Sequence, residues 1–176
     1  MARPPVHLVW FKRDLRVADH APLFTAAQAG PVLALYILEP ELWAQPDASA
    51  RHYAALADAL QDLDAAMKSL GGGLVLRIGE AVETLAALHA ERPLAAIHAH
   101  AETGNLRSFA RDRRVRAWAK ENGVSVYETP TGGVQRPLRS RDGWAKEWER
   151  RAALPQVPVP QGISWADTAS QPLPPP

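Results

Sequence analysis

The sequence predicts one α/β domain built on a five-stranded, parallel, doubly wound sheet with flanking helices. Three observations predict it. Five short apolar runs recur between residues 6 and 128, several of them apolar nearly throughout, as strands covered on both faces should be. The segments between them space their apolar residues by threes and fours, as helices lying on a sheet require. Strict alternation of strand and helix demands crossover connections, which make neighbouring strands parallel and wind with one hand.

Residues 6–11 (VHLVWF) form the first expected strand. Asp19 is the expected N-cap of a helix over 21–29, with Pro22 in its first turn and Gly30 at its stop. Residues 32–38 (VLALYIL) are the second strand. The clearest helix runs from 49 to 70, where Tyr53, Leu56, Leu60, Leu63 and Met67 form one stripe, and Gly71 to Gly73 end it. Strands follow at 74–78, 94–98 and 124–128, separated by helices over 80–91 and 107–121, the last with an imperfect apolar face. If the strand order is Rossmann-like, ligands bind where that order reverses, outside the carboxyl ends of the first and fourth strands.

Beyond residue 128 the pattern changes. Residues 129–138 read as a loop with Gly132 and Gly133, and 143–151 as a short helix carrying Trp144 and Trp148. Residues 1–150 are therefore assigned to the α/β domain. Residues 151–176 are assigned to a linker, whose proline-rich part, 155–176, is expected to build no core and to lack regular structure.

The 176 residues allow one domain of ordinary size. A net charge of +1 gives no global attraction to nucleic acid or membrane. The absence of cysteine removes disulfides, thiolate metal sites and cysteine nucleophiles. The amino terminus lacks the apolar stretch of a signal peptide, and no segment approaches a membrane span. A cytoplasmic protein is expected.

Candidate residues gather at strand ends. Asp14 and Asp19 lie among Lys12, Arg13 and Arg16, where such charges either lock a loop or bind a ligand. His98 and His100 point to one side of a strand, but no third metal ligand is evident at suitable spacing, so no metal site is assigned. Glu102 reads either as a cap of the following helix or as a ligand. Arg107, Arg111, Arg113, Arg114 and Arg116 read as a solvated basic face. Trp144 and Trp148, four residues apart, read as packing on a neighbour. No Gly-x-Gly-x-x-Gly, phosphate loop or Ser-His-Asp set stands out.

The segment 9–23, VWFKRDLRVADHAPL, carries the sharpest signal. It resembles the opening signature of the photolyase/cryptochrome family through Trp10, Phe11, Arg13, Asp14, Leu15, Arg16, Asp19 and Leu23. The likeness continues in register through Tyr36 to Pro40, Arg51 with the leucine stripe behind it, Gly71 to Gly79, and Arg111-Asp112 with Val115. It covers roughly residues 6–150.

The resemblance implies the amino-terminal antenna half of such a protein, with no catalytic residues of its own. It implies an antenna chromophore (a folate, a deazaflavin or a flavin nucleotide) near Phe11, Lys12, Arg13, Arg51 and Glu102. The family's usual Asn-x-x-Tyr context is replaced here by Glu-Thr-Gly-Asn at 102–105, which leaves the antenna's identity open. The implied partners are a helical domain, which would hold FAD, and damaged DNA bound through that domain. The full protein would perform light-driven repair of pyrimidine dimers or blue-light reception. The alternative is a free-standing α/β module that binds a nucleotide-like chromophore or a protein partner without catalysis.

Overall fold

The computed structural model describes residues 4–134 and 140–175. Its five strands are β1 (Val6–Phe11), β2 (Val32–Leu38), β3 (Leu74–Ile78), β4 (Leu94–His100) and β5 (Ser125–Thr129). They form one all-parallel sheet in the order β3-β2-β1-β4-β5. The order reverses between β1 and β4, the Rossmann-like case on which the expected ligand position was conditional.

Strand pleating divides the core in two. Leu8, Trp10, Leu33, Leu35 and Ile37 face one layer, where they meet Leu85 and Leu88 of α4 (Ala81–Glu91) and Val115 and Ala119 of α5 (Leu106–Glu121). Val9, Phe11, Ala34, Tyr36 and Leu38 face the other. That layer holds Leu23 and Ala26 of α1 (Ala21–Ala29) and Leu60, Leu63 and Met67 of α3 (Ala50–Ser69). All seven residues of β2 are buried, which is why VLALYIL carries no polar alternation. A single turn, α2 (Pro40–Trp43), links β2 to α3. Helix α6 (Trp144–Ala152) stands outside both layers. The loop expected over 129–138 is described only as far as Val134; the rest lies outside the described residues.

The cap of α1 differs from expectation. His20, not Asp19, is the N-cap, and its Nδ1 accepts the Leu23 N–H at 3.0 Å. Asp19 instead adopts φ 49°, and its carboxylate accepts the Val157 N–H. An aspartate tolerates that left-handed turn better than most residues.

The tail is also corrected. Over residues 155–175 it forms no helix or strand, but it is not a free linker where it follows the sheet. Val32 N–H donates to the Ser164 carbonyl, Ala166 N–H to the Val32 carbonyl, and Gln171 N–H to the Leu76 carbonyl. Gln171 Oε1 and Ser170 Oγ accept from Ile78 and Leu76 of the outermost strand. Ile163, Trp165 and Leu173 pack on the core beneath. The tail covers an open sheet edge that would otherwise leave backbone groups unpaired. Composition hid this, because the contacts come from a few apolar residues among many prolines.

Gly72 explains one of the three glycines after α3. A Cβ there would lie 2.2 Å from the Trp165 ring, whose Nε1 donates to the Leu70 carbonyl at 2.9 Å. Gly72→Ala should therefore unseat Trp165 and lower the free energy of unfolding by about 1–3 kcal/mol, the usual range for overpacking. Urea titration of wild type and variant checks this. Equal midpoints would mean that Trp165 does not depend on the glycine.

Candidate functional site

The carboxyl ends of β1, β2 and β4 surround a crevice of about 530 Å³. Each strand delivers side chains to it from its last residues or the turn beyond: Phe11, Lys12 and Arg13 after β1, Tyr36 and Glu39 around the end of β2, and Glu102 after β4. Helix α5 contributes Ser108 and Arg111 from its first turns, behind the Asn105 cap, whose side chain accepts from the Arg107 and Ser108 N–H groups. The outer wall is Leu42, Trp43 and the α3 residues His52, Ala55, Leu56 and Ala59. One side of the crevice is thus apolar and the other charged.

Arg111 organises the charged side. Its guanidinium is 6% exposed and reaches Glu39 at 2.5 Å, Glu102 at 3.0 Å and Asp112 at 2.9 Å. It also lies over the Trp10 ring, 4.7 Å from its centre. Lys12 completes the set by pairing with Asp112 at 2.8 Å. A planar fork of donors can satisfy several carboxylates together, which a lysine cannot. These groups need one another because a lone buried charge is costly. Burial and the neighbouring carboxylates Glu80 and Asp112 raise the Glu39 pKa, against the pull of Arg111. Burial would lower Arg111, but Glu39 and Asp112 hold its pKa up. Glu102 is lowered: burial opposes this, and the Gly104 N–H, Lys12, Arg111 and Arg13 outweigh it.

The turn that carries Glu102 depends on Gly104. A Cβ at that position would come within 2.6 Å of Arg13 Nη2 and 2.8 Å of Glu102 Oε1. With no side chain in the way, the Gly104 N–H donates to Glu102 at 2.6 Å, and Arg13 closes on the same carboxylate at 3.4 Å. Glu102 therefore ties the β4 turn to α5 and to the β1 turn. It does not cap the helix; Asn105 does.

Of the residues singled out from the sequence, Phe11, Lys12, Arg13 and Glu102 meet at this crevice. Arg51 does not. It is exposed on α3, and its neighbour His52 lines the wall instead. The basic face of α5 is corrected at Arg111, which is buried; Arg114 and Arg116 pair with Glu80 and Glu128. Sequence reasoning missed Arg111, Glu39, Tyr36 and Trp43 as site residues. The signal was present: Ser108, Arg111, Asp112, Val115 and Ala119 share the buried face of α5, so its imperfect apolar stripe is the site itself.

Asp14 does not pair with the nearby basic residues. Its Oδ2 accepts from His20 Nε2 at 2.7 Å and His100 Nδ1 at 2.5 Å, and its Oδ1 accepts the Lys12 N–H. Asp14, His20 and His100 bring metal-ligand atoms within 4.8 Å of one another. The hydrogen bonds explain this convergence. His20 Nδ1 already accepts the Leu23 N–H, so its proton sits on Nε2, where a metal would need a lone pair. Burial pushes Asp14 up, but the two imidazoles and the Lys12 N–H carry it well below the usual carboxylate range. Arg16 donates to the Ala18 and Asp19 carbonyls, so both Asp14 and Arg16 lock the loop. His98 turns to His7, 3.0 Å away, and burial with that neighbour lowers its pKa to about 4.

Trp144 and Trp148 sit over Gly133, Trp144 Nε1 donating to its carbonyl at 2.8 Å, and both rings stay substantially exposed. No helix among the described residues is long and apolar enough to cross a membrane.

Comparison with known proteins agrees with the geometry. The DNA photolyase family model matches residues 7–140. Cryptochrome-1 of Arabidopsis thaliana is 37% identical over 83 residues, which are 46% of this chain and 12% of that protein. The deoxyribodipyrimidine photo-lyase of Salmonella typhimurium is 41% identical over 69 residues, 38% of this chain and 15% of that one. The crystal structure of an archaeal photolyase from Sulfolobus tokodaii with two FAD molecules superposes with a TM-score of 0.73 at 23% identity, a likeness of fold. That match covers 92% of this chain and 38% of the archaeal one. The chain spans well under two thirds of the relatives it matches.

Removing Arg111 would strand the carboxylates of Glu39 and Glu102 in a buried site. Arg111→Met should lower the free energy of unfolding by about 3–5 kcal/mol, as for a broken buried pair. A urea titration reads it. A loss below about 1 kcal/mol, the worth of a surface pair, would show that the network carries little of the stability.

Proposed function

The chain belongs to the DNA photolyase family, and from that premise we propose that it is the antenna half of a photolyase- or cryptochrome-like protein. Its chromophore site is the crevice over β1, β2 and β4. The observation that carries this reading is a preformed cavity of about 530 Å³ at the point where the strand order reverses, the usual ligand position in such sheets.

The lining fits a flat conjugated molecule. Trp43, Leu42 and Leu56 offer apolar and aromatic surface, while Lys12, Glu39, Glu102 and Arg111 face it with charges already neutralised by partners. Arg13, on the rim with its side chain 68% exposed, already closes on Glu102 at 3.4 Å. A folate, a deazaflavin and a flavin nucleotide all suit such a cleft. Such a chromophore, when bound, absorbs near-ultraviolet or blue light and passes the excitation to a flavin. This chain's residues hold the ring, exclude water from its faces and fix its orientation. They perform no bond chemistry.

In the full protein the partner is a helical domain that holds FAD and docks damaged DNA, reached through the proline-rich segment after α6. Exposed Trp144, Trp148 and Leu154 supply apolar surface for it. The protein is cytoplasmic, and its activity is light-driven pyrimidine-dimer repair or blue-light reception. The archaeal photolyase, whose structure with two FAD molecules implies a novel light-harvesting cofactor in that protein, supports the antenna reading by analogy.

Purified chain mixed in turn with a reduced folate, a deazaflavin and a flavin nucleotide, then passed through gel filtration, should retain a near-ultraviolet or visible band from at least one. Ala59→Trp, which fills the crevice from its α3 wall, should abolish the retention. A band that survives Ala59→Trp places the chromophore elsewhere, and retention of none of them contradicts the reading.

A further inference from the structure

Tyr36 differs from the other polar groups of the crevice wall. Its residue is 7% exposed, yet its hydroxyl has no hydrogen-bond partner among the described residues. Nor is that hydroxyl sealed in the core: the fully enclosed side-chain polar atom without a partner among the described residues is Arg92 Nε, not Tyr36 Oη. Tyr36 lines the crevice, so the hydroxyl reaches its open space. Around it the ionic groups are spoken for: Lys12 by Asp112, Arg111 by Glu39 and Glu102. A hydroxyl that no group among the described residues engages, opening on a cavity large enough for a ring system, keeps its donor and acceptor capacity for what enters there.

The charge of the cavity narrows what enters. Its lining carries three basic groups, Lys12, Arg13 and Arg111, and three carboxylates, Glu39, Asp47 and Glu102. They cancel, so the interior offers no excess positive charge for a phosphate. Register places Tyr36 beside Phe11 on the neighbouring strand, and both residues line the crevice.

We propose that the Tyr36 hydroxyl donates a hydrogen bond to a carbonyl oxygen or ring nitrogen on the buried edge of a ligand's uncharged, planar, fused ring system, and thereby selects which edge enters. The inference rests on the reading of the crevice as the chromophore site. Burial, with the nearby Glu39 carboxylate, pushes the phenol up to about 12, so at neutral pH it keeps its proton and acts as donor. An acceptor edge is therefore required of the ligand, and a ring that presents only C–H groups there is excluded.

Riboflavin and its phosphate, FMN, are suitable probes because they share one acceptor-bearing ring and differ in charge. Fluorescence titration should show wild type binding riboflavin, and Tyr36→Phe binding it about three- to tenfold more weakly, the worth of one neutral hydrogen bond. FMN should bind no more tightly than riboflavin. The melting temperature of ligand-free Tyr36→Phe should equal or exceed that of wild type, because no protein partner is lost. Equal riboflavin affinity in the two proteins overturns the proposal. So does a lower melting temperature of the ligand-free variant, which would reveal a structural partner for the hydroxyl, and so does FMN binding tenfold tighter than riboflavin. Ala59→Trp separates the two levels. If wild type and Ala59→Trp bind riboflavin equally, the crevice reading itself fails and the Tyr36 role falls with it; if wild type binds no riboflavin but retains a folate or a deazaflavin, the Tyr36 proposal fails and the crevice reading stands.

Discussion

The constraint on which the site depends is the charge of one buried guanidinium. Arg111 lies under the crevice with carboxylates from three directions: Glu39 from the end of β2, Glu102 from the turn after β4, and its own neighbour Asp112. Each carboxylate is fixed because it cannot leave Arg111 unpaired at that depth, and Arg111 is fixed because it cannot leave them. The strand ends therefore hold a set spacing even without a ligand. Lys12 extends the same logic to the turn after β1 through Asp112. A cavity framed this way is preorganised, so a ligand spends little free energy on ordering its walls.

The second condition is that the sheet edges stay closed while their carboxyl ends stay open. The tail meets the first half of it by running along β3 and seating Trp165 against Gly72. It also reaches the crevice wall indirectly: the Pro174 carbonyl accepts from the Tyr53 hydroxyl, and Tyr53 meets Trp43 edge to face. The far edge is different, because Tyr127 on β5 is 56% exposed and Trp144 and Trp148 lie near the same end of the sheet. One side of the domain is finished by its own chain, and the other presents apolar surface.

Much of this architecture was legible in the sequence because period and burial act locally. VLALYIL reads as a strand covered on both faces, and it is one. The Leu56, Leu60, Leu63 stripe reads as a sheet-facing helix, and Leu60 and Leu63 are indeed in the core. Alternation of elements implied parallel strands, but the reversal between β1 and β4 was only conditional on a Rossmann-like order, which the sheet has and which locates the crevice. What stayed hidden was long-range. Arg111 looks like one more solvated arginine until Glu39, seventy-two residues earlier, is placed beside it. Arg51 is a site residue by resemblance, yet it is exposed on α3 and is not among the residues that line the crevice. The Asp14 cluster unites residues from two turns far apart in the chain, and His20 took the cap expected of Asp19 because an imidazole can accept at Nδ1 while donating at Nε2.

The central claim is that the ligand ring lies between the Trp43 wall and the Arg111 network, over the ends of β1, β2 and β4. A crystal structure of the chain with bound flavin or deazaflavin tests it most directly. Ring density should lie in that crevice, with Glu39, Glu102 and Arg111 in the positions they hold without ligand. Density beside α6 or along the tail, with the crevice filled by side chains, would contradict it.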